Sequence, residues 1–104
     1  MNTLITAANS AKAQQLKLKL NKANIILGDY EDLPAFMLST NLIKLPNPSS
    51  SSYAHEMLTL CLDKGVTVLY PLRDEELTVL KQAELLFDEY GIRIMKQPNE
   101  LMNQ

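Results

Sequence analysis

The alternation of short apolar runs with longer amphipathic segments constrains the fold of this chain more than any other feature. The short runs are three to five residues long and occupy positions 4–7, 25–27, 42–45, 66–70 and 92–95. The longer segments repeat apolar residues every three or four positions, as helices with one buried face do. Strands that are almost continuously apolar and alternate with helices are typical of a parallel sheet covered on both faces. The pattern therefore predicts an α/β fold.

The helical periodicity predicts three helices, at positions 11–20, 53–64 and 74–90. The buried face of the first helix is expected to extend to Ala23, and Asn9 and Ser10 precede this helix as candidate N-caps. The last helix is predicted to be continuous, because its apolar side chains keep the helical spacing as far as position 90. A single helical turn is predicted to start at Pro34 and to end at position 38.

These elements predict a three-layer, Rossmann-like α/β fold with an open, parallel, five-stranded sheet in the order 3-2-1-4-5 and helices on both faces. Each connection is expected to be a right-handed crossover. A chain of 104 residues is long enough to bury its own core, so we expect residues 1–104 to form a single domain. The fifth strand alternates in polarity, as an edge strand does, and residues 96–104 form a polar tail.

The direction of winding reverses between strands one and four of this order, which predicts a crevice at the carboxyl ends of these strands. The loops 7–10 and 70–74 border the crevice, and position 29 ends the neighbouring strand. The candidate binding residues are the polar side chains at these three places: Asn9, Ser10, Asp29, Arg73, Asp74 and Glu75. Arg73 is the one cation among them. The alternative to a binding role is that Arg73 is a solvated surface side chain.

The same residues also have a purely structural explanation. Asn9 and Ser10 are suited to cap the first helix, and Asp74 is expected to be the N-cap of the last helix. Glu75 and Glu76 are then expected to stabilise the amino-terminal end of the helix dipole. The two explanations are compatible, because free N–H groups at a helix start can bind an anion.

Nucleotide, metal and nucleic-acid sites are not indicated by the sequence. The loop 7–10 contains no glycine and no Walker A motif is present, so the nucleotide-binding fingerprints are absent. His55 is the only histidine, and Cys61, the only cysteine, falls on an apolar helix face. We therefore expect no metal site and a buried, inert thiol. The net charge is −2 and the ten Lys and Arg residues are scattered, so no nucleic-acid partner is expected.

The compartment is predicted from three features. No apolar run is long enough to cross a bilayer, and the first residues lack the charged and apolar regions of a signal peptide. A single cysteine fits a reducing compartment. We therefore expect a cytoplasmic protein without a membrane partner. A signalling receiver domain is a poor interpretation, because residues 7–9 and 45–46 lack the acids that such a domain needs.

The order of the motifs along the chain resembles that of a known family. The motifs are LITAA, GDYEDLPAF, LIKLPNP, CLDKG, VTVLYPLRDEEL, FDEYGI and QPNE. In this order they resemble the N-terminal, pre-ATP-grasp domain of carbamoyl phosphate synthetase large-subunit-like proteins and related carboxylate–amine ligases. The resemblance covers nearly the whole chain, and its most specific part is the stretch VTVLYPLRDEEL.

The resemblance implies a non-catalytic module rather than a complete enzyme. In the family this domain precedes two lobes that clamp ATP and magnesium, and it helps to bind the acceptor substrate and to shape the interface with those lobes. No cofactor is then expected in this chain, and the expected partner is an ATP-grasp core in cis or in trans. Carried over by position, the six crevice residues named above would be the substrate-binding ones. Relatives commonly have glycines in the first loop, whereas this chain has Ala8, Asn9 and Ser10.

Two other functions remain as alternatives. One is a stand-alone domain that binds a small anionic metabolite in the crevice between strands one and four and that forms a homodimer through its fifth strand. The other is an independent enzyme, which would need a nucleophile or a base with an orienting partner. The sequence shows no such pair, so no catalytic residue is predicted.

Overall fold

The computed structural model of the protein describes residues 1–20, 24–39 and 41–95. The predicted helix position Ala23 and the predicted polar tail at 96–104 lie outside the described residues. Within the described ranges, no helix is both long and apolar enough to span a bilayer.

One parallel sheet with the strand order β3-β2-β1-β4-β5 forms the centre of the molecule, as predicted. The strands are Asn2–Ile5 (β1), Ile25–Asp29 (β2), Leu42–Lys44 (β3), Val66–Tyr70 (β4) and Arg93–Ile94 (β5). β1 is central and pairs with β2 on one side and with β4 on the other. The carboxyl ends of β1, β2 and β4 are therefore neighbours, which is the arrangement expected for a crevice at the winding reversal.

Helices cover both faces of the sheet and complete the predicted three layers. They are Ala11–Leu20 (α1), Tyr53–Asp63 (α2), Asp74–Gln82 (α3) and Glu84–Glu89 (α4), and a 3₁₀ turn at Ala35–Met37 lies between β2 and β3. Successive residues of a strand point to opposite faces. Accordingly Leu4 of β1 packs in the core that contains α2, α3 and α4, whereas Ile5 packs in the second core under α1.

The segment predicted as one helix at 74–90 is two helices. Ala83 separates α3 from α4 with φ −102° and ψ 10°, and its N–H donates to the carbonyl of Leu80 at 3.0 Å in a tight i→i−3 bond. Leu80 and Phe87, one on each side of the break, are both 0% exposed. The prediction of one continuous helix was therefore wrong. The stretch contains no glycine or proline that would signal a break, so packing of both helices in one core sets its position.

The start of β1 and the N-cap of α3 also differ from the prediction. β1 starts at Asn2, because the Asn2 N–H donates to the carbonyl of Gly65 at 2.9 Å and Asn2 pairs with Val66. The predicted N-cap of the last helix, Asp74, is instead its first helical residue. Arg73 is the N-cap, with an extended backbone (φ −94°, ψ 138°) and no capping side-chain hydrogen bond.

Gly28 allows a close approach just before the carboxyl end of β2. A Cβ atom at this position would lie 2.7 Å from Cγ of Leu45, a side chain that is only 3% exposed. The Leu45 N–H donates to the carbonyl of the next residue, Asp29, at 2.8 Å. Leu45 can therefore pack directly against the end of β2, because Gly28 has no side chain.

We predict that Gly28→Ala lowers the free energy of unfolding by about 1–3 kcal/mol, because Leu45 must move to admit the methyl group. The cost should become smaller in a Leu45→Ala background, where the room already exists. Urea denaturation followed by circular dichroism measures both changes.

Gly91→Ala is the matched control. A Cβ there meets nothing within 4 Å, and only the positive φ of 77° opposes the substitution. The cost of Gly91→Ala should be the same with and without Leu45. Equal costs of Gly28→Ala in the two backgrounds would contradict the role of Leu45.

Candidate functional site

The carboxylate of Asp29 is the centre of the polar contacts at the carboxyl edge of the sheet. Asp29 is the last residue of β2 and is 0% exposed. Its Oδ2 accepts a hydrogen bond from the Asn9 N–H at 3.4 Å, and its Oδ1 accepts one from the Glu31 N–H at 3.2 Å. A buried carboxylate is costly unless hydrogen bonds and a cation compensate it, so these amides and a nearby cation determine whether the site is stable.

Arg73 is that cation, and it reaches Asp29 from the turn after β4. Its Nη2 lies 2.9 and 3.2 Å from the two carboxylate oxygens of Asp29 and 3.1 Å from Oε1 of Glu31. Its guanidinium carbon also lies 4.8 Å from the ring centroid of Tyr30, within the range of a cation–π interaction. Burial alone would lower the pKa of Arg73, but the hydrogen bond and charge of Asp29 and the charge of Glu31 raise it.

Ser10 has the capping role predicted for it. Its Oγ accepts from the Ala13 N–H at 3.1 Å and donates to the carbonyl of Ala7 at 2.8 Å. Asn9 meets the carboxylate of Asp29 through its backbone N–H and not through its side chain. Asn9 also lines a cavity of about 390 Å³ between α1 and the chain that leads into β3. The first loop thus contributes main-chain contacts to the site.

Ala7 holds this loop in an unusual backbone conformation. Its φ is 53°, in the left-handed region, where a Cβ atom costs about 1–2 kcal/mol. The Ala7 carbonyl accepts from the Ser10 N–H at 2.9 Å as well as from the Ser10 hydroxyl. The turn therefore has a backbone shape for which glycine is best suited, although the loop contains no glycine.

The structure brings Asn9 and Arg73 each into direct contact with Asp29, and Ser10 lies next to Asn9 at the start of α1. The other two predicted residues are not part of this cluster. Asp74 and Glu75 are exposed on the first turn of α3, and among the described residues neither carboxylate forms a hydrogen bond or an ion pair.

Four residues of the site escaped the sequence analysis: Thr6, Tyr30, Glu31 and Glu76. The hydroxyl of Thr6 is buried and accepts from the Leu72 N–H at 2.8 Å, which ties the end of β1 to the turn after β4. Glu76 is 0% exposed. The sequence did contain a signal for the burial of Glu76, because position 76 lies four residues before the apolar Leu80 and so on the same helix face.

A metal site requires a group of ligating side chains, and a reactive thiol requires an environment that favours the thiolate. In residues 1–20, 24–39 and 41–95, no group of three or more His, Cys, Asp or Glu side chains is placed to hold a metal ion. Cys61 is buried on α2, as predicted, and burial raises the pKa of its thiol to about 12. The thiol is therefore neutral, and a neutral thiol is a poor nucleophile.

Comparison with known families decides what kind of domain this is. Residues 4–95 match the sequence model of the PylC-like, N-terminal domain. The chain belongs to this family. The PylC-like N-terminal domain is a pre-ATP-grasp domain, so the recognition made from the motif order is confirmed at this level. The finer likeness to carbamoyl phosphate synthetase large-subunit-like proteins stays a prediction.

Solved structures share the fold of this PylC-like domain. Partial consensus L-threonine 3-dehydrogenase (E-change) and a GalE-like L-threonine dehydrogenase from Cupriavidus necator are each 20% identical to the chain, with TM-scores of 0.57 and 0.56. Each match covers 83% of this chain and 34% of the solved chain. Glycinamide-RNase-transformylase T from Mycobacterium tuberculosis is 8% identical with a TM-score of 0.56, and the match covers 97% of this chain and 30% of that protein.

At these identities the likeness shows the fold alone. The chain spans about a third of the length of the solved proteins that it matches. A comparison with curated protein sequences finds no match.

The crevice residues of this domain do not fit the phosphates of ATP. Among the described residues at the crevice the cation is Arg73, and its Nη2 is already held by Asp29 and Glu31. The loop 7–10 has no glycine to let the backbone approach a phosphate closely. No step of nucleotide chemistry is therefore assigned to these residues.

We predict that Ala7→Gly yields a protein about 1 kcal/mol more stable than Ala8→Gly does. Both substitutions remove one buried methyl group, but only Ala7→Gly also relieves a strained left-handed backbone. Thermal and urea denaturation of the two variants provide the comparison. If Ala7→Gly is the less stable of the two, the strain assigned to Ala7 is wrong.

We predict that Arg73→Met lowers the free energy of unfolding by about 1–3 kcal/mol, because the substitution leaves the buried carboxylate of Asp29 without its cation. The value is below that of a fully buried pair, since the Arg73 side chain is 24% exposed and partly screened by solvent. The double variant Arg73→Met/Asp29→Asn should lose less than the sum of the single losses.

Arg93→Met is the control, because Arg93 is an exposed arginine on the edge strand β5. Its substitution should change stability little. An Arg73→Met variant that is as stable as Arg93→Met would show that the Arg73–Asp29 pair contributes nothing.

Proposed function

We propose that this chain is the non-catalytic first domain of an ATP-dependent carboxylate–amine ligase. In this role it helps to bind the acceptor substrate and shapes the interface with an ATP-grasp core. The observation that carries the proposal is the match of residues 4–95 to the PylC-like, N-terminal domain. The core is supplied in cis or in trans, and ATP and magnesium bind there.

The contacts of Arg73 support a rigid surface and not a catalytic centre. Asp29 and Glu31 hold its guanidinium, and the ring of Tyr30 lies under it. Catalysis by the domain alone would require a nucleophile or base with an orienting partner. The described crevice holds an ion pair and capped backbone amides instead, which are suited to keep a surface in one geometry.

The same contacts disfavour the alternative of an anionic metabolite in the crevice. A metabolite carboxylate or phosphate would have to share the Arg73 guanidinium with two protein carboxylates, whose negative charges would repel it. Self-association through the fifth strand also has little support. The described part of β5 is two residues long and offers few free main-chain groups at its edge. A homodimer and a cytoplasmic location both stay predictions.

The proposal predicts that the purified chain hydrolyses no ATP by itself. It also predicts that an ATP-grasp polypeptide from the same reading frame or a neighbouring gene binds this chain. The two parts should co-purify, and ATP hydrolysis that depends on the acceptor amine should appear only with both present. Size-exclusion chromatography and phosphate release measure these results.

Arg73→Met and Arg93→Met provide a matched pair in this assay. We expect Arg73→Met to raise the KM for the acceptor several-fold, because the carboxyl edge loses its fixed geometry, and Arg93→Met to leave it unchanged. The proposal fails if no ATP-grasp polypeptide binds the chain, or if the complex has the same acceptor-dependent activity as the core alone.

A further inference from the structure

A second polar cluster lies beneath the Arg73–Asp29 pair, and the proposed function makes no use of it. Glu76, on the first turn of α3, is 0% exposed, and both of its carboxylate oxygens lack a partner in hydrogen-bond geometry. The hydroxyl of Tyr53 and Nε of Arg73 are also buried and unpartnered. In the part of the chain that the structure describes, these are all the buried side-chain nitrogen and oxygen atoms without a partner. Such atoms are rare in folded proteins and often mark a site with a further role.

The neighbours of Glu76 act on its carboxyl group in opposite directions. Burial raises the pKa of Glu76, and this effect outweighs the Thr6 hydroxyl and the Arg73 backbone N–H, which both lower it. The charge of Arg73 also lowers the pKa, and the charge of Asp29 raises it. The fold therefore favours the neutral form of Glu76 more than water does.

The charged and titratable groups around Glu76 come from each element packed against it. α2 contributes Tyr53, β2 contributes Asp29, and the position before α3 contributes Arg73, while the charges of Cys61 and Glu75 act on Tyr53. Burial is the main cause that raises the pKa of the Tyr53 hydroxyl and of the Cys61 thiol, so both stay neutral. The one cation in this set is Arg73, whose Nη2 is held elsewhere by Asp29 and Glu31.

The two forms of Glu76 place different demands on these neighbours. A carboxylate can only accept hydrogen bonds, whereas the neutral acid also donates one. When Glu76 takes up a proton, its new O–H can donate to the oxygen of Tyr53 or Thr6, and its other oxygen can accept from the nearby Arg73 N–H. When Glu76 releases the proton, both oxygens require donors. The unpartnered Nε–H of Arg73 is a free donor that also carries a positive charge.

We propose that Glu76 is a proton-binding switch beneath the crevice. Its neutral form holds the turn 71–73 in place, and its ionised form accepts a hydrogen bond from the Nε–H of Arg73. Arg73 transmits the change, because its Nε is buried and unpartnered while Nη2 of the same guanidinium holds Asp29 and Glu31. The geometry of the crevice then depends on pH, although none of its surface carboxylates needs to titrate.

The sign of the effect on stability follows from the direction of the shift. The folded protein binds the Glu76 proton more tightly than the unfolded chain does. The stability that this proton contributes is fully present when the pH is below 4.5, the ordinary pKa of a glutamate. It is lost as the pH rises through the higher pKa that Glu76 has in the folded state. The protein should therefore become less stable on the alkaline side of this window.

The first test is a titration of the wild-type chain followed by NMR of its ¹³C-labelled carboxyl groups. Glu75 is the internal control, because it is adjacent in sequence and exposed. We expect Glu76 to titrate at a higher pH than Glu75 and the Arg73 Nε–H resonance to shift with the midpoint of Glu76. A Glu76 midpoint at or below that of Glu75, or an Arg73 resonance that does not follow it, overturns the proposal.

The second test compares Glu76→Gln with Glu75→Gln by urea denaturation over a series of pH values. The urea midpoint of Glu76→Gln should rise relative to that of the wild type as the pH increases, whereas Glu75→Gln should follow the wild type at every pH. Parallel profiles of Glu76→Gln and the wild type contradict the switch.

Tyr53→Phe provides an independent variant if Glu76→Gln does not fold. This substitution removes a hydroxyl that can accept from the neutral acid and donate to the ionised carboxylate, so it should shift the NMR midpoint of Glu76. An unchanged midpoint would show that the two side chains do not share the site.

Discussion

The structure depends on a carboxylate that is entirely buried at the end of the second strand. Asp29 is 0% exposed, and its compensation comes from three separate parts of the chain: the Asn9 amide of the first loop, the Glu31 amide of its own turn and the Arg73 guanidinium after β4. A buried charge with any of these partners removed is strongly unfavourable. The same interaction that makes the fold tolerate Asp29 therefore fixes the relative positions of three loops at the crevice.

This constraint disfavours anion binding in the crevice and supports the proposed role of the crevice as a surface for another domain. Nη2 of Arg73, the cation that a ligand would use, is bound by two protein carboxylates, and the guanidinium lies over the ring of Tyr30. In the proposed function, this PylC-like N-terminal domain acts together with an ATP-grasp core. Rigid loops are useful in that setting, because binding then costs little conformational entropy at the interface.

The polar layer continues below the crevice and explains the backbone of the turn after β4. The Thr6 hydroxyl accepts from the Leu72 N–H and so restrains the chain just before the arginine, and the buried Glu76 lies on the first turn of the helix that follows. On the other side of the crevice, Ala7 tolerates a left-handed backbone because Ser10 binds its carbonyl twice. Local strain and unpartnered polar atoms are concentrated in one region, as is common where a fold serves a function.

The sequence by itself determined the order of elements, the parallel sheet and the cap at Ser10, because these follow from apolar periodicity and from hydrogen bonds between near neighbours. It also brought Asp29 and Arg73 to the same edge. It did not determine that they form a pair, since 44 residues separate them and only the strand order sets their distance. The break at Ala83 and the burial of Glu76 have the same origin. Both depend on how α2, α3 and α4 share one core, and this packing of distant segments exists only in the tertiary structure.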